Sequence, residues 1–129
     1  KIKQRTYQFI IVNLACPDMV AHTGDLAASI KACEAADQAL REIVLTVTAL
    51  SGTAVITADH GNVEELINLQ TGEVDTEHSD NPVPLIVVSS RFIGQNKKLQ
   101  PGILADVAPT ILKLLNLSQP QAMSGKSLI

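Results

Sequence analysis

Length, composition and charge restrict what this chain can be. It has 129 residues, of which 46% are hydrophobic and only three are aromatic, and its formal net charge is −3. A chain of this length fits one domain, residues 1–129 with no second domain, which buries roughly two-thirds of its unfolded surface. The negative charge, and the lack of any Lys/Arg run longer than two residues, exclude the electrostatic footprint of a nucleic-acid-binding protein.

The cysteines and the first residues bear on the cellular compartment. Cys16 and Cys33 fit neither a zinc motif nor a disulfide-rich secreted framework, so we expect two free thiols. No apolar stretch approaches the ~20 residues that span a bilayer. Residues 1–5 are too polar for the apolar region of a signal peptide. The sequence therefore predicts a soluble, cytoplasmic protein with no membrane partner.

The first half of the chain predicts a strand, a long helix and a second strand. Residues 7–14 are mostly apolar and typical of a buried strand, and a loop is expected at 15–24. From residue 25 to about 50, apolar residues recur at three- and four-residue steps, which indicates a long amphipathic helix. A strand at 53–57 follows and completes a strand-helix-strand unit.

The next part of the chain predicts mostly irregular structure before a third strand. We expect a short helix at 62–67 and a small hairpin or loop at 68–76. Residues 80–84 contain two prolines and are predicted to be extended, because residues that precede proline avoid the helical region. The apolar residues 85–88 are predicted to form the third buried strand.

The last part of the chain predicts one helix and an irregular tail. Residues 91–102 have the composition of a polar loop. Asp106 is a credible N-cap for a helix that ends near Asn116, with Pro109 tolerated in the first turn. Residues 118–129 contain Pro, Gly and Ser, so we expect them to be ordered only by packing on other parts of the structure.

Three strands joined by helical connections predict an α/β fold. A parallel sheet needs both of its faces covered, and two helices barely suffice for three strands. We therefore expect this chain to be part of a larger sheet. An uncovered sheet edge also invites self-association of the chain.

Five residues have the chemistry of metal ligands and lie next to predicted strands: Asp18, His22, Asp59, His60 and His78. In an α/β sheet, ligands bind in the loops beyond the carboxyl ends of strands. Carboxylate and imidazole groups together suit Zn²⁺, Mn²⁺ or Fe²⁺. Five ligands are many for one ion but fit two, and paired ions commonly hold both oxygens of a phosphoryl transfer.

Four of these five residues also have a simpler interpretation. His22 could cap the long helix, and Asp59 could bind backbone amides at the end of a strand. His60 and His78 could be ordinary hydrogen-bonded or surface histidines. A metal site is favoured because all three histidines of the chain fall in acid-bearing loops beside predicted strands.

Five blocks of sequence together resemble the C-terminal part of cofactor-independent phosphoglycerate mutase. They are residues 17–24 (PDMVAHTG), 56–62 (ITADHGN), 78–84 (HSDNPVP), and 104–110 (LADVAPT) with 123–128 (MSGKSL). The order and spacing of the blocks agree with that family over nearly the whole chain. The resemblance implies an alkaline-phosphatase-like three-layer α/β sandwich, of which residues 1–129 are a part.

The same resemblance implies an isomerase that interconverts 2-phosphoglycerate and 3-phosphoglycerate through a phosphoserine, with two manganese ions. Asp18, His22 and His78 match the ligands of one ion, and Asp59 and His60 match part of the shell of the other. The family's serine nucleophile and substrate-binding groups have no match here, so we expect the isolated chain to be inactive. Zinc or another divalent ion would suit the same ligands.

A few residues differ from the family pattern, and two other functions are open. Cys16, Ala21 and the Ser79-Asp80 pair stand where the family commonly has other residues, but no predicted ligand is lost. One rival is another alkaline phosphatase superfamily enzyme, such as a phosphopentomutase. Another is a metal-binding remnant or interaction module without catalysis. Ser79 is the only serine near a proposed ligand, and it is a poor substitute for the nucleophile.

Overall fold

The computed structural model describes residues 1–95 and 98–129. Its α-helices and strands are α1 (Cys16–Ala21), α2 (Leu26–Ala49), β1 (Thr53–Thr57), β2 (Leu85–Ser89) and α3 (Val107–Leu114). Four single-turn 3-10 helices lie at Ile2–Gln4, Val63–Glu65, Ser90–Phe92 and Leu104–Asp106. None of the helices in this described part has the length and apolar character that crossing a bilayer requires.

The long helix α2 confirms the amphipathic pattern and supports α1. The carboxylate of Asp25 caps it by accepting a hydrogen bond from the amide of Ala28 at 2.9 Å. Its buried residues are small, namely Ser29, Ala32 and Ala36. Small side chains let another backbone approach closely, and α1 packs here with Ala21 fully buried. The short helix α1, which carries Asp18, thus packs against the long helix α2.

The two strands form an antiparallel pair, so the expectation of parallel strands is wrong. The register runs from Thr53 opposite Ser89 to Thr57 opposite Leu85. Parallel neighbours need a crossover connection, usually an α-helix. The residues between β1 and β2 contain only one 3-10 turn and a small hairpin in place of such a helix. The chain therefore turns back and pairs in the opposite direction.

The strand predicted at residues 7–14 is also wrong, since within the described residues the sheet consists of β1 and β2 alone. A strand is defined by hydrogen bonds to a neighbour about 4.8 Å away. Residues 7–14 instead line a cleft of about 1230 Å³, which β1 also lines. Apart from the half-buried Leu14, their apolar side chains remain exposed, from 38% for Ile10 to 79% for Ile11.

The hairpin predicted at 68–76 is confirmed. Ile67 and Val74 form an antiparallel bridge, and the amide of Asn68 donates to the carbonyl of Glu73 at 2.9 Å. Gly72 takes a left-handed conformation with φ of 74° at the turn. The short helix predicted before it is smaller than expected, spanning Val63–Glu65 rather than 62–67.

The last helix is shorter than predicted, and Asp106 does not cap it with its side chain. Its carboxylate accepts instead from the amides of Ile103 at 2.9 Å and Lys126 at 2.8 Å. These two bonds lower the pKa of Asp106, the bond from Lys126 contributing most. The amide of Leu128 donates to the hydroxyl of Thr110 at 3.0 Å. The tail is therefore ordered by packing on α3, as expected.

The polar loop predicted at 91–102 overlaps the short helix Ser90–Phe92. A turn follows this helix, and Gly94 has a φ of 76°. Residues 96–97 of that prediction lie outside the described part of the chain.

Candidate metal centre

Three separate segments meet at one end of the two-stranded sheet. Asp18 and His22 lie on and just after α1, His60 follows β1, and His78 precedes β2. Because the strands are antiparallel, the end of β1 lies beside the start of β2. A bridge between Gly61 and Ser79 extends this proximity, with the amide of Ser79 donating to the carbonyl of Gly61 at 2.8 Å. His60 and His78 are thereby placed side by side.

The side chains of Asp18, His60 and His78 converge on one point. Each offers a ligand atom, and these three atoms all lie within 4.8 Å of one another. Nε2 of His78 is 3.4 Å from Oδ1 of Asp18. The imidazole rings of His60 and His78 stack, with their centroids 3.7 Å apart and an angle of 20° between their planes. This separation of carboxylate and imidazole atoms is small enough for one cation to contact all three.

His22 lies against the same group, and we call the four residues Asp18, His22, His60 and His78 the ligand cluster. Its Nε2 is 3.4 Å from Oδ1 of Asp18 and 3.2 Å from Nε2 of His78. Nδ1 of His22 is 2.8 Å from the carbonyl oxygen of Thr76 and must donate, because a carbonyl only accepts. In the neutral ring Nε2 then carries the lone pair, which is how metal-binding histidines are commonly oriented.

Asp59 is the one predicted ligand that stays outside the ligand cluster. Its side chain is 89% exposed, and its Oδ2 lies 3.7 Å from Nε2 of His60. The ligand atom of His60 instead lies within 4.8 Å of those of Asp18 and His78. Asp59 therefore lies at the margin of the cluster, where its carboxylate is open to solvent.

The sequence interpretation missed Asn62, which contacts Asp18 directly. Asn62 is only 5% exposed, and its side-chain amide donates to Oδ1 of Asp18 at 2.7 Å. This hydrogen bond is the main cause of the lowered pKa of Asp18, which His22, His60 and His78 lower further against the opposing effect of burial. Asp18 is thus kept ionised and ready to bind a cation.

Glu64 is the second residue that sequence reasoning missed. Its carboxylate accepts hydrogen bonds from the hydroxyl of Ser79, from the side-chain amide of Asn81 at 3.1 Å and from the backbone amide of Asn62 at 2.8 Å. The bond from Ser79 is the largest cause that lowers the pKa of Glu64 to about 2. The available signal was an acid four residues after His60, in the short helix predicted at 62–67.

The residues of the ligand cluster fit a divalent cation. One carboxylate and three imidazoles supply only hard and borderline donors, a set that suits Mn²⁺, Co²⁺ or Zn²⁺. Side-chain exposures of 36% for Asp18 and 49% for His78 leave the cluster accessible from solvent. Cys16 is not among these donors, because its thiol points to the carbonyl of Ala32.

Comparison with known proteins agrees with this chemistry. Residues 1–119 match the family model described as the metalloenzyme superfamily. Over 123 residues the chain is 48% identical to 2,3-bisphosphoglycerate-independent phosphoglycerate mutase of Agrobacterium fabrum, covering 95% of this chain and 24% of that protein. It is 45% identical over 129 residues to the enzyme of the same name from Clostridioides difficile, covering 100% of this chain and 25% of that protein.

A solved structure gives the same result for the fold. The crystal structure of Leishmania mexicana phosphoglycerate mutase at low cobalt concentration superposes with a TM-score of 0.82 and 29% sequence identity. The match covers 98% of this chain and 26% of the Leishmania chain. The chain thus spans about a quarter of the length of the relatives that it matches. It belongs to the metalloenzyme superfamily and corresponds to a segment of 2,3-bisphosphoglycerate-independent phosphoglycerate mutase.

Proposed function

We propose that this chain supplies the metal-binding part of a phosphoglycerate mutase that interconverts 2-phosphoglycerate and 3-phosphoglycerate in glycolysis. The observation that carries the proposal is the convergence of Asp18, His60 and His78 within 4.8 Å in a chain of this family. The full reaction passes through a phosphoserine on a serine that this chain does not supply. The enzyme acts in the cytoplasm, where glycolytic substrates are found.

Two manganese ions are the proposed cofactors, with zinc or another divalent ion as a substitute. Asp18, His22 and His78 hold one ion, a proposal supported by the distances of 3.2 to 3.4 Å between their ligand atoms. His60 and Asp59 contribute to the second ion. This assignment is supported by the position of Asp59, which faces solvent beside His60, where further ligands from the remainder of the enzyme can approach.

When bound, the ions supply Lewis-acid chemistry that activates a serine hydroxyl and neutralises a phosphoryl group. The chain's own part is to keep the carboxylate of Asp18 ionised and to hold the ring of His22 with its Nε2 facing Asp18 and His78. The hydrogen bonds from Asn62 and to the carbonyl of Thr76 do this. Ser79 is not proposed as a nucleophile, because its hydroxyl donates to Glu64.

Residues 1–129 are proposed to be the C-terminal part of an alkaline-phosphatase-like three-layer domain. Two features support this. β1 pairs only with β2 among the described strands, and the cleft beside it is lined by the unpaired, apolar residues 7–14. Strands from the remainder of the enzyme would fill that cleft. In their absence, the exposed edge is the proposed surface for self-association of this chain.

The proposal is tested by titrating Mn²⁺ into the 129-residue chain in a calorimeter, beside the Asp18→Ala and Asp59→Ala variants. We expect one site that is lost in Asp18→Ala and kept in Asp59→Ala, because Asp18 lies among His22, His60 and His78, whereas Asp59 lies beside His60 at the margin of the ligand cluster. The same preparations are assayed with 3-phosphoglycerate and manganese, and no turnover is expected. Failure of the unmodified chain to bind Mn²⁺ would overturn the proposed metal site. Turnover of 3-phosphoglycerate would overturn the proposal that this chain does not supply the serine nucleophile.

A further inference from the structure

We propose that Glu64 is a positioning residue that fixes the distance between His60 and His78. The inference deepens the proposed function and rests on it for the role of the two histidines. Glu64 lies in the 3-10 helix Val63–Glu65, beyond His60 along the chain. It contacts no ligand directly in the hydrogen bonds described above, so it acts through its neighbours.

The two carboxylate oxygens of Glu64 bind two different segments. Oε1 accepts from the hydroxyl of Ser79 and from the side-chain amide of Asn81 at 3.1 Å, both in the segment that follows His78. Oε2 accepts from the backbone amide of Asn62 at 2.8 Å, in the segment that follows His60. One side chain thus links the two histidine-bearing segments by three hydrogen bonds.

The side chains of Ser79 and Glu64 lie too close to Gly61 for a side chain to fit there without displacing them. A Cβ atom added to Gly61 would lie less than 3.0 Å from both Oγ of Ser79 and Oε1 of Glu64. Real Cβ atoms do not approach other atoms so closely. The absence of a side chain at Gly61 therefore gives Glu64 the room to reach Ser79, and the sequence Gly-Asn-Val-Glu after His60 works as a unit.

The link from Glu64 extends to the third ligand-bearing segment. Asn62 receives its orientation from the bond that its backbone amide donates to Glu64, and its side-chain amide donates to Asp18 at 2.7 Å. Asn62 is almost fully buried. Displacement of Asn62 would therefore remove its hydrogen bond to Asp18, so Glu64 links all three ligand-bearing segments.

The arrangement requires a carboxylate, and the chain offers a matched control. A carboxylate has two oxygens that both accept, whereas the amide of glutamine has only one acceptor oxygen. Glutamine at position 64 can keep the bonds from Ser79 and Asn81 or the bond from Asn62, but not both sets. Glu65 is the next residue of the same 3-10 helix, and within residues 1–95 and 98–129 its side chain makes no hydrogen bond or ion pair. Replacing Glu65 with alanine therefore removes the same negative charge without removing any of the hydrogen bonds that Glu64 makes.

The test compares Glu64→Ala, Glu64→Gln and Glu65→Ala in two measurements. In the metal-free chain, NMR cross-relaxation between the ring protons of His60 and His78 reports their 3.7 Å stacking. Calorimetry reports the affinity for Mn²⁺. For Glu64→Ala we expect loss of the ring contact and an affinity about 10- to 100-fold weaker, the usual cost of removing a residue that orients ligands. We expect Glu65→Ala to keep the ring contact and most of the affinity.

Glu64→Gln makes the test independent of folding. It retains part of the hydrogen-bonding, so we expect a folded chain with an affinity between those of the unmodified chain and Glu64→Ala. Retention of the ring contact in both Glu64 variants, with affinities equal to that of Glu65→Ala, would overturn the inference. The ring contact decides the matter even if the unmodified chain binds no Mn²⁺, so failure of the proposed function is recognised separately.

Discussion

Residues 59–81 and residues 7–14 both lack a continuous strand or α-helix, yet they are held in opposite ways. In the first region, Glu64, Asn62 and Asn68 bind backbone and side-chain groups of the same region. In the second, no hydrogen bond is formed by residues 7–14 within the described part of the chain. Its apolar residues are exposed, including Ile11 at 79%.

This difference shows that polar and apolar segments depend on different partners for order. Asn, Ser and Glu side chains satisfy nearby backbone groups, so residues 59–81 are held by groups within this chain. An apolar strand is stabilised by a neighbouring strand and by burial of its side chains. Residues 7–14 have no neighbouring strand and little burial of their side chains. This agrees with a chain that spans about a quarter of the length of its relatives.

The largest expected effect comes from breaking the first region at Gly61. Gly61→Ala places a methyl group less than 3.0 Å from Oγ of Ser79 and Oε1 of Glu64, so these side chains must shift and the hydrogen bond between them is lost. We expect a loss of about 1–3 kcal/mol in the free energy of unfolding, typical of overpacking. Mn²⁺ affinity should fall by at least about 10-fold, as measured by calorimetry.

The control for this substitution is Gly72→Ala in the hairpin. Gly72 has a φ of 74°, but no atom lies within 4 Å of the position that an added methyl group would occupy. The substitution therefore introduces backbone strain without a clash, and Mn²⁺ affinity should be kept. Unchanged metal affinity in Gly61→Ala would show that the close approach of the two segments does not matter.

A smaller effect is expected from acid. The pKa of Glu64 is about 2 in the folded chain and 4.5 ordinarily, so its stabilising contribution is complete above pH 4.5. It is lost as the pH falls from 4.5 towards 2. The lowered pKa of Asp18 acts in the same direction. Because Glu64 is exposed, solvent screening keeps the contribution modest.

Denaturant unfolding at neutral pH and at pH about 3 measures this acid sensitivity. We expect Glu64→Gln to lose less stability on acidification than the unmodified chain, because the titrating group is gone. Glu65→Gln serves as the matched variant and should keep the full acid sensitivity. Equal sensitivity in all three chains would contradict the assignment.

The smallest expected effect on stability is in the second region. Ile11→Asp changes an exposed side chain that has no strand beside it, so the free energy of unfolding should change by no more than about 0.5 kcal/mol. The negative charge that the aspartate introduces at this apolar edge should reduce self-association of the chain, as measured by sedimentation velocity. Leu69→Asp, at a residue 96% exposed in the hairpin, is the control and should leave association unchanged. A much larger loss of stability in Ile11→Asp would show that residues 7–14 are packed after all.

Local sequence patterns were sufficient for several elements. The apolar periodicity of residues 25–50 specifies α2, and the β-branched run specifies β1. The turn residues of the 68–76 hairpin are equally local. These predictions succeed because helix periodicity, capping and turn conformations depend on residues only a few positions apart.

Other features depend on contacts between distant parts of the chain. Residues 7–14 have the pattern of a strand, but a strand needs a neighbour, which local pattern does not supply. Asp106 has the position of a helix cap, yet its carboxylate binds the amide of Lys126, twenty residues away. The roles of Asn62 and Glu64 likewise depend on partners 15 to 44 residues distant.

Residue types and local patterns were enough to give the kinds of ligand, the helix that supports Asp18 and the resemblance to the mutase family. The tertiary structure alone decided that β1 and β2 run antiparallel, that His60 stacks on His78, and that Asp59 remains outside the ligand cluster. The physical reason is that residue chemistry and local conformation are written in short stretches of chain. The distances between ligands instead follow from strand pairing and from hydrogen bonds that join segments far apart in sequence.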